Sequence, residues 1–189
     1  MSYNKYGTLE LIIGPMYAGK STELIRVINR FKCLKKSILV INHVLNNRYD
    51  SSNLTTHNNE IIENCIIVAK LKEIEIDYKN IFDNIDVIVI EELQFFDDAY
   101  YYITKWCDEN GKYVICAGLD GDFERKPFGD VLKLIPHAEK VTKLNALCVK
   151  CGDGTPAIFS KRIITDNNKT LVGSSEYYSA CCRKHYNEI

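Results

Sequence analysis

The amino-acid sequence predicts an α/β fold, a parallel sheet with crossover helices, carrying a small C-terminal unit of different character. Two observations predict the sheet. Short apolar runs alternate with longer amphipathic stretches through residues 1–146. The run Ile85-Asp86-Val87-Ile88-Val89-Ile90 is apolar and β-branched at nearly every position, as a strand covered on both faces must be. A third observation sets the tail apart: from residue 147 the alternation stops, and four of the eight cysteines crowd into the last quarter of the chain. The expected division is therefore 1–146 and 147–189.

Taken in order, residues 9–13 form a strand that Gly14-Pro15 ends. From Ser21 to about Lys32, the apolar residues Leu24, Ile25, Ile28 and Phe31 recur at helical spacing. Residues 37–42 and 85–90 are strands. A helix follows from Asp97, which can cap it, to about Asn110, where Asn110-Gly111 can stop it. Residues 112–117 make the last clear strand. In the tail, Gly152-Asp153-Gly154 is a turn, and a hairpin-like stretch covers 158–172.

Composition excludes several classes of function. A formal charge of −1 offers no electrostatic grip on nucleic acid or on an anionic membrane. The first residues lack the apolar run of a signal peptide, and no apolar stretch reaches the roughly 18 residues that cross a bilayer. A cytoplasmic protein with a small-molecule partner is expected. The eight cysteines amount to about 4% of the chain, below a disulfide scaffold, so in a reducing compartment they read as buried thiols and metal ligands.

Gly14-Pro15-Met16-Tyr17-Ala18-Gly19-Lys20-Ser21 matches G-x-x-x-x-G-K-[ST] between a strand and a helix, the setting this phosphate-binding loop requires. Its glycines let successive N–H groups face a phosphate chain, and the helix adds its positive end. Lys20 can reach the β- and γ-phosphates of a nucleotide such as ATP, and Ser21 can ligate Mg²⁺. The strand 85–90 runs into Glu91-Glu92, at the strand ends where open parallel sheets bind ligands. One carboxylate can hold Mg²⁺ near Ser21, and the other can accept a proton from an attacking hydroxyl. A solvated turn with two surface glutamates is the plainer alternative.

Cys148-Val149-Lys150-Cys151 and Cys182-Arg183-Lys184-His185 are paired half-sites whose two-residue spacing suits one tetrahedral ion. Filling all four positions makes the zinc structural, and it closes a loop of thirty residues well placed to cover a substrate. Cys181 is a rival ligand.

Together these motifs resemble the zinc-containing, cellular/poxviral-type (type II) thymidine kinases. The resemblance spans Gly7 to His185. It rests on G-P-M-Y-A-G-K-S-T-E-L, the Q-F-F after the acidic pair, L-D-G-D-F-E-R-K-P-F at 119–128, Lys161-Arg162, the Y-x-x-x-C-R at 178–183 and the cysteine pairs. It implies a RecA-like P-loop domain with a zinc-anchored lasso loop over the nucleoside, and transfer of the γ-phosphate of ATP to the 5′-hydroxyl of thymidine. It implies Glu92 as catalytic base and Glu91 at the Mg²⁺ position. The ATP site comprises residues 14–21 with Thr22 and Arg48. Met16, Phe95, Leu119, Phe123, Phe128 and Tyr178 line the thymine pocket, and main-chain groups of Lys169, Thr170, Leu171, Val172 and Gly173 hold the thymine edge. A homotetramer and feedback inhibition by dTTP are further implications. On composition alone, the aromatic residues read as core packing and Arg48 as a surface charge.

Five residues depart from the family pattern: Asn46 and Glu91 stand for aspartates, Leu93 for Gly or Ala, Asn58 for a common aspartate, and Ser174 for a second glycine. They bear on rate and substrate preference, with Leu93 expected to crowd the strand end. Two other readings remain at this point: a P-loop ATPase joined to a zinc-ribbon nucleic-acid-binding module, and a kinase-like chain without activity. The ribbon reading calls for a basic face, whereas the C-terminal Lys and Arg residues are scattered among acids. A GTPase would need a base-reading N-K-x-D motif, absent from the chain.

Overall fold

Strand β1 (Thr8–Ile13) leads through the glycine-rich loop into α1 (Lys20–Cys33), which returns the chain to β2 (Ile38–His43). In this computed structural model residues 6–46, 53–55, 61–63, 65–164 and 176–188 are described. A short antiparallel pair, β3 (Asn53–Thr55) and β4 (Ile61–Glu63), precedes β5 (Cys65–Val68). Two short helices, α2 (Lys72–Ile76) and α3 (Lys79–Asn84), lead to β6 (Val87–Ile90). Then come α4 (Ala99–Asp108), β7 (Tyr113–Gly118) and β8 (Lys140–Lys143). The six strands form one parallel sheet in the order β5-β2-β6-β7-β1-β8, as alternation with helices requires.

Register decides where the site falls. Ile13 at the end of β1 pairs with Gly118 at the end of β7, and Ile90 at the end of β6 pairs with Cys116. Residues 14–21, 91–92 and 119 therefore all leave the sheet at its carboxyl edge, on three neighbouring strands. Two apolar layers hold those strands. One face packs Leu9, Leu11, Ile41, Ile88 and Ile90 against Phe96, Ile103 and Trp106. The other packs Ile12, Val40, Val89 and Ile115 against Leu24, Ile25, Val27 and Ile28 of α1. The apolar spacing read in residues 21–32 is the stripe that α1 buries.

The anticipated cap of the second long helix is corrected. Asp98, not Asp97, occupies the N-cap of α4, and neither makes a side-chain capping bond there. Asp98 instead accepts from the N–H groups of Leu71 and Lys72 at 3.1 and 3.0 Å, tying the start of α2 to α4, while Asp97 pairs with Lys70 at the surface. The stop is as read: Gly111 sits at φ 64°, a left-handed value natural only to glycine.

Beyond β8 come β9 (Ala146–Leu147), β10 (Pro156–Ala157), β11 (Phe159–Arg162), β12 (Tyr178–Cys181) and α5 (Arg183–Asn187). The hairpin-like stretch is corrected too. β11 pairs antiparallel with β12, Phe159 opposite Cys181 and Arg162 opposite Tyr178, so the partner of this strand lies past residue 172. The Gly-Asp-Gly turn forms as read, with Gly152 and Gly154 at φ 66° and 89°. Among the described residues, no helix is long and apolar enough to cross a membrane.

Candidate active site

The glycine-rich loop has little room for any other sequence. Gly14 sits at φ 146°, and a Cβ there would lie 2.3 Å from the Leu144 carbonyl oxygen. Gly19 at φ 81° turns the chain into α1. Lys20 Nζ donates to the Pro15 carbonyl oxygen at 2.8 Å, so the ammonium already lies over the loop. The Ser21 hydroxyl donates to Glu91 Oε1, joining the start of α1 to the end of β6. Glu91 is buried, and burial of a carboxylate is tolerated where charge and hydrogen bonds answer it. A hydroxyl and a carboxylate oxygen side by side are the hard donors that Mg²⁺ takes.

Glu92 follows at φ 52°, ψ 41°, left-handed for a residue with a Cβ. Such a conformation costs about 1–3 kcal/mol and persists only where neighbours enforce it. A one-turn 3₁₀ helix over Leu93–Phe95 enforces it here: Phe95 N–H donates to the Glu92 carbonyl, and Leu93 and Phe96 are fully buried. The crowding expected of Leu93 is absorbed by the facing Gly118, where a Cβ would come within 3.0 Å of the Leu93 Cβ. Met16, Tyr17, Ala18, Gly19, Lys20, Ser21 and Thr22 line one cleft with Glu91, Glu92, Ala117, Gly118 and Leu119. Pro15 faces a second cavity, shared with Ser160 and Arg125.

The expected pocket aromatics are not among the residues that line this cleft and form two groups. Phe95 and Phe128 meet edge to face with ring centroids 5.8 Å apart. The Arg162 guanidinium lies 3.7 Å from the centre of the Phe123 ring and donates to the Tyr178 hydroxyl at 2.9 Å. Tyr178 is buried, and its carbonyl accepts from Tyr17 of the phosphate loop at 3.4 Å. Arg48, Asn58, Lys169, Thr170, Leu171, Val172, Gly173 and Ser174 lie outside the described residues. Asn46, the first departure, is buried and donates to Asn42 Oδ1 at 3.1 Å.

Three further residues support the site in roles that motif reading left unassigned. Ser160 Oγ accepts from the Met16 N–H at 2.9 Å and pins the phosphate loop to β11. His43 packs on Phe95 and Phe96, with centroids at 5.6 and 4.8 Å. Its Nδ1 accepts from the Leu45 N–H, which leaves Nε2–H to donate to the Ala69 carbonyl, and burial pushes the imidazole below its ordinary value, so the ring is neutral. Gln94 is buried between Glu92 and Leu119. Sequence could name Arg162 from its motif, but the other contacts join residues far apart along the chain or use backbone groups.

The four metal-ligand candidates converge. Their ligand atoms all lie within 4.8 Å of one another. His185 Nδ1 stands 3.3, 3.3 and 3.5 Å from the sulfurs of Cys148, Cys151 and Cys182, and Cys151 Sγ lies 3.8 Å from Cys182 Sγ. With Zn–S near 2.3 Å and Zn–N near 2.0 Å, the edges of a tetrahedron are about 3.5 and 3.8 Å, so the cluster fits a structural zinc. His185 Nε2 points instead at Glu188, 3.6 Å away, the kind of carboxylate that orients a ligating imidazole. Cys181 is buried outside the cluster and is no rival.

The family model described as thymidine kinase matches residues 7–186. The chain is 42% identical over 183 residues to the thymidine kinase of Sheeppox virus (strain KS-1), covering 96% of this chain and 97% of that one. It is 43% identical over 190 residues to the thymidine kinase of Yaba monkey tumor virus (strain VR587), covering 98% of both. A thymidine kinase of Choristoneura fumiferana entomopoxvirus is 40% identical over 194 residues, covering 96% of this chain and 97% of its own. With phosphate loop, acidic strand end and cysteine–histidine cluster in one frame, the chain belongs to the thymidine kinase family.

Proposed function

We propose that this phosphotransferase moves the γ-phosphate of ATP onto the 5′-hydroxyl of thymidine, with Glu92 as the base. One observation carries the assignment of roles: residues 16–22, both glutamates and Leu119 line a single cleft. The backbone N–H groups of the loop and Lys20 hold the triphosphate. Ser21 and Glu91, already hydrogen-bonded, would hold Mg²⁺. When bound, that ion neutralises charge across the β- and γ-oxygens. Glu92 orients the hydroxyl and takes its proton late, as a loose phosphoryl-transfer transition state requires.

Met16, Phe95, Leu119, Phe123, Phe128 and Tyr178 would line the thymine pocket, with Arg162 fixing the Phe123 and Tyr178 rings from behind. Residues 147–189 form a zinc-held cover, a division supported by the small core that begins at Ala146. Main-chain groups at 169–173 close over the base and Arg48 reaches the phosphates, both by family resemblance. The eight free thiols suit a reducing compartment, the cytoplasm. Homotetramer assembly and dTTP feedback belong to the same proposal, and light scattering with an inhibition series tests them.

The decisive assay combines purified protein, ATP, Mg²⁺ and a panel of deoxynucleosides. Thymidine-dependent ADP release is expected, and Glu92→Gln should lower kcat about 10²–10⁴-fold. ATP turnover indifferent to nucleosides but stimulated by DNA would overturn the proposal in favour of the ribbon reading.

A further inference from the structure

Gln94 is a polar side chain in a place built for an apolar one. It is only 4% exposed, between the fully buried Leu93 and Gly118. Two glycines make the slot around it. A Cβ on Gly118 would approach Gln94 Oε1 to 3.1 Å, and a Cβ on Gly129 would approach the Gln94 carbonyl oxygen to 2.4 Å. Both ends of the buried amide are used. Oε1 accepts from the Leu119 N–H at 2.9 Å, and Nε2 donates to Glu92 Oε2 at 2.5 Å. The backbone decides which end faces which neighbour. The Leu119 N–H can only donate, so the amide oxygen must face it and the NH₂ must face Glu92.

We propose that Gln94 is a positioning residue, which locks the Glu92 carboxylate to the end of β7 at Leu119 and so fixes the base relative to the nucleoside hydroxyl. The inference rests on the reading of Glu92 as base. Glu92 sits at a left-handed φ of 52° on a turn anchored by the buried Leu93 and Gln94. The amide gives its carboxylate a fixed reference on the neighbouring strand, while Leu119 belongs to the same cleft. A carboxylate displaced by about 1 Å from an attacking oxygen forfeits rate on the order of 10²-fold without weakening ATP binding.

The test compares kcat and both KM values for the unmodified protein, Glu92→Gln, Gln94→Met and Gln94→Glu. Gln94→Met keeps length and burial but loses both hydrogen bonds, and kcat should fall about 10–100-fold with the KM for ATP unchanged. Gln94→Glu keeps an oxygen for the Leu119 N–H and sets a second carboxylate against Glu92. Its kcat should be very low near pH 8 and recover towards pH 6, where one proton shared by the pair restores the donor. A purely structural role makes kcat and melting temperature recover together, whereas positioning restores kcat with the melting temperature unchanged between the two pH values, and this arm decides the matter should Gln94→Met fail to fold. Gln94→Met turning over at the normal rate while Glu92→Gln is inactive would overturn the inference. Full activity in Glu92→Gln would instead overturn the reading of Glu92 beneath it.

Discussion

The two ends of the chain hold their functional residues by opposite means. The phosphate loop, Glu91 and Glu92 hang from strands buried on both faces, where Leu, Ile, Val, Phe and Trp side chains fill two apolar layers. Among the described residues, the small core of the C-terminal unit comprises Ala146, Cys148, Ala157, Ala180, Cys181 and Cys182, with no branched aliphatic residue. At roughly 25 cal/mol per Å² of apolar surface, three alanines and three thiols, flanked by Phe159 and Tyr186, contribute far less than the two layers of the sheet. The unit's strands β9 and β10 are two residues each. Burial positions the phosphate loop; in the C-terminal unit the convergent cysteines and histidine take that part. A parallel sheet suits a site that must stay rigid under a charged triphosphate, whereas a metal-pinned loop needs only one fixed end.

The largest expected effect strikes the metal end. Replacing Cys148 with serine, or stripping the protein with a chelator, removes the one strong organiser of that unit. Metal analysis should show about one zinc per chain before and none after. Structural zinc sites contribute about 10–16 kcal/mol of apparent binding energy, so thymidine turnover should vanish. Far-UV circular dichroism should change little, because the six-stranded sheet does not depend on the cluster. Unchanged zinc content in Cys148→Ser would refute the ligand set. A collapse of the whole sheet would show that the two regions do not hold themselves separately.

Next comes the seam between them. Gly14→Ala places a methyl group 2.3 Å from the Leu144 carbonyl oxygen at a φ no alanine adopts comfortably. A loss of about 2–4 kcal/mol in unfolding free energy, read from denaturant titration, is expected, with ATP binding falling further because the loop must open to make room. Ser160→Ala is milder: the Met16 N–H loses its buried acceptor, costing about 1–3 kcal/mol. If the regions cooperate through this bond, it should raise KM for ATP although Ser160 lies outside the loop. An unchanged KM would confine the bond to structure.

Legibility followed the same split. β1, β2, β6, β7, α1 and α4 were readable because long periodic or apolar runs announce burial. β8 was not: Lys140-Val141-Thr142-Lys143 is an edge strand, largely exposed, and its sequence looks like a loop. β5 is similarly short and half-exposed. The Asp97 cap failed because neighbouring aspartates are equivalent until one knows that Leu71 and Lys72 approach. The hairpin failed because a metal-held strand needs no apolar alternation to be recognised by its partner. The four ligands were legible because coordination chemistry fixes their spacing, whereas Gln94 was legible only as a letter of Q-F-F and its role was not, since its acceptor end serves a backbone N–H that carries no letter in the sequence.

The smallest effect probes the sheet itself, at the foot of β1. Glu10 is almost buried and accepts hydrogen bonds from the Tyr113 hydroxyl and, at 3.0 Å, from Lys140 Nζ of β8. Burial raises its carboxyl, but the Tyr113 hydroxyl and the Lys140 ammonium together bring it below the ordinary carboxylate value. A group depressed in the folded state stabilises at neutral pH, and that stabilisation is lost as pH falls through its folded value. Stability should therefore decline below the usual carboxylate range, with Glu10→Gln less stable at pH 7 yet flatter in acid. Because Lys140 is half exposed, screening trims the ion pair to about 0.5–1 kcal/mol. Urea midpoints measured for both proteins from neutral to acid pH check this. Parallel curves would mean that the backbone ladder holds β8 to β1 without help from the Glu10 side chain, and that the contrast with the cysteine–histidine end is sharper still.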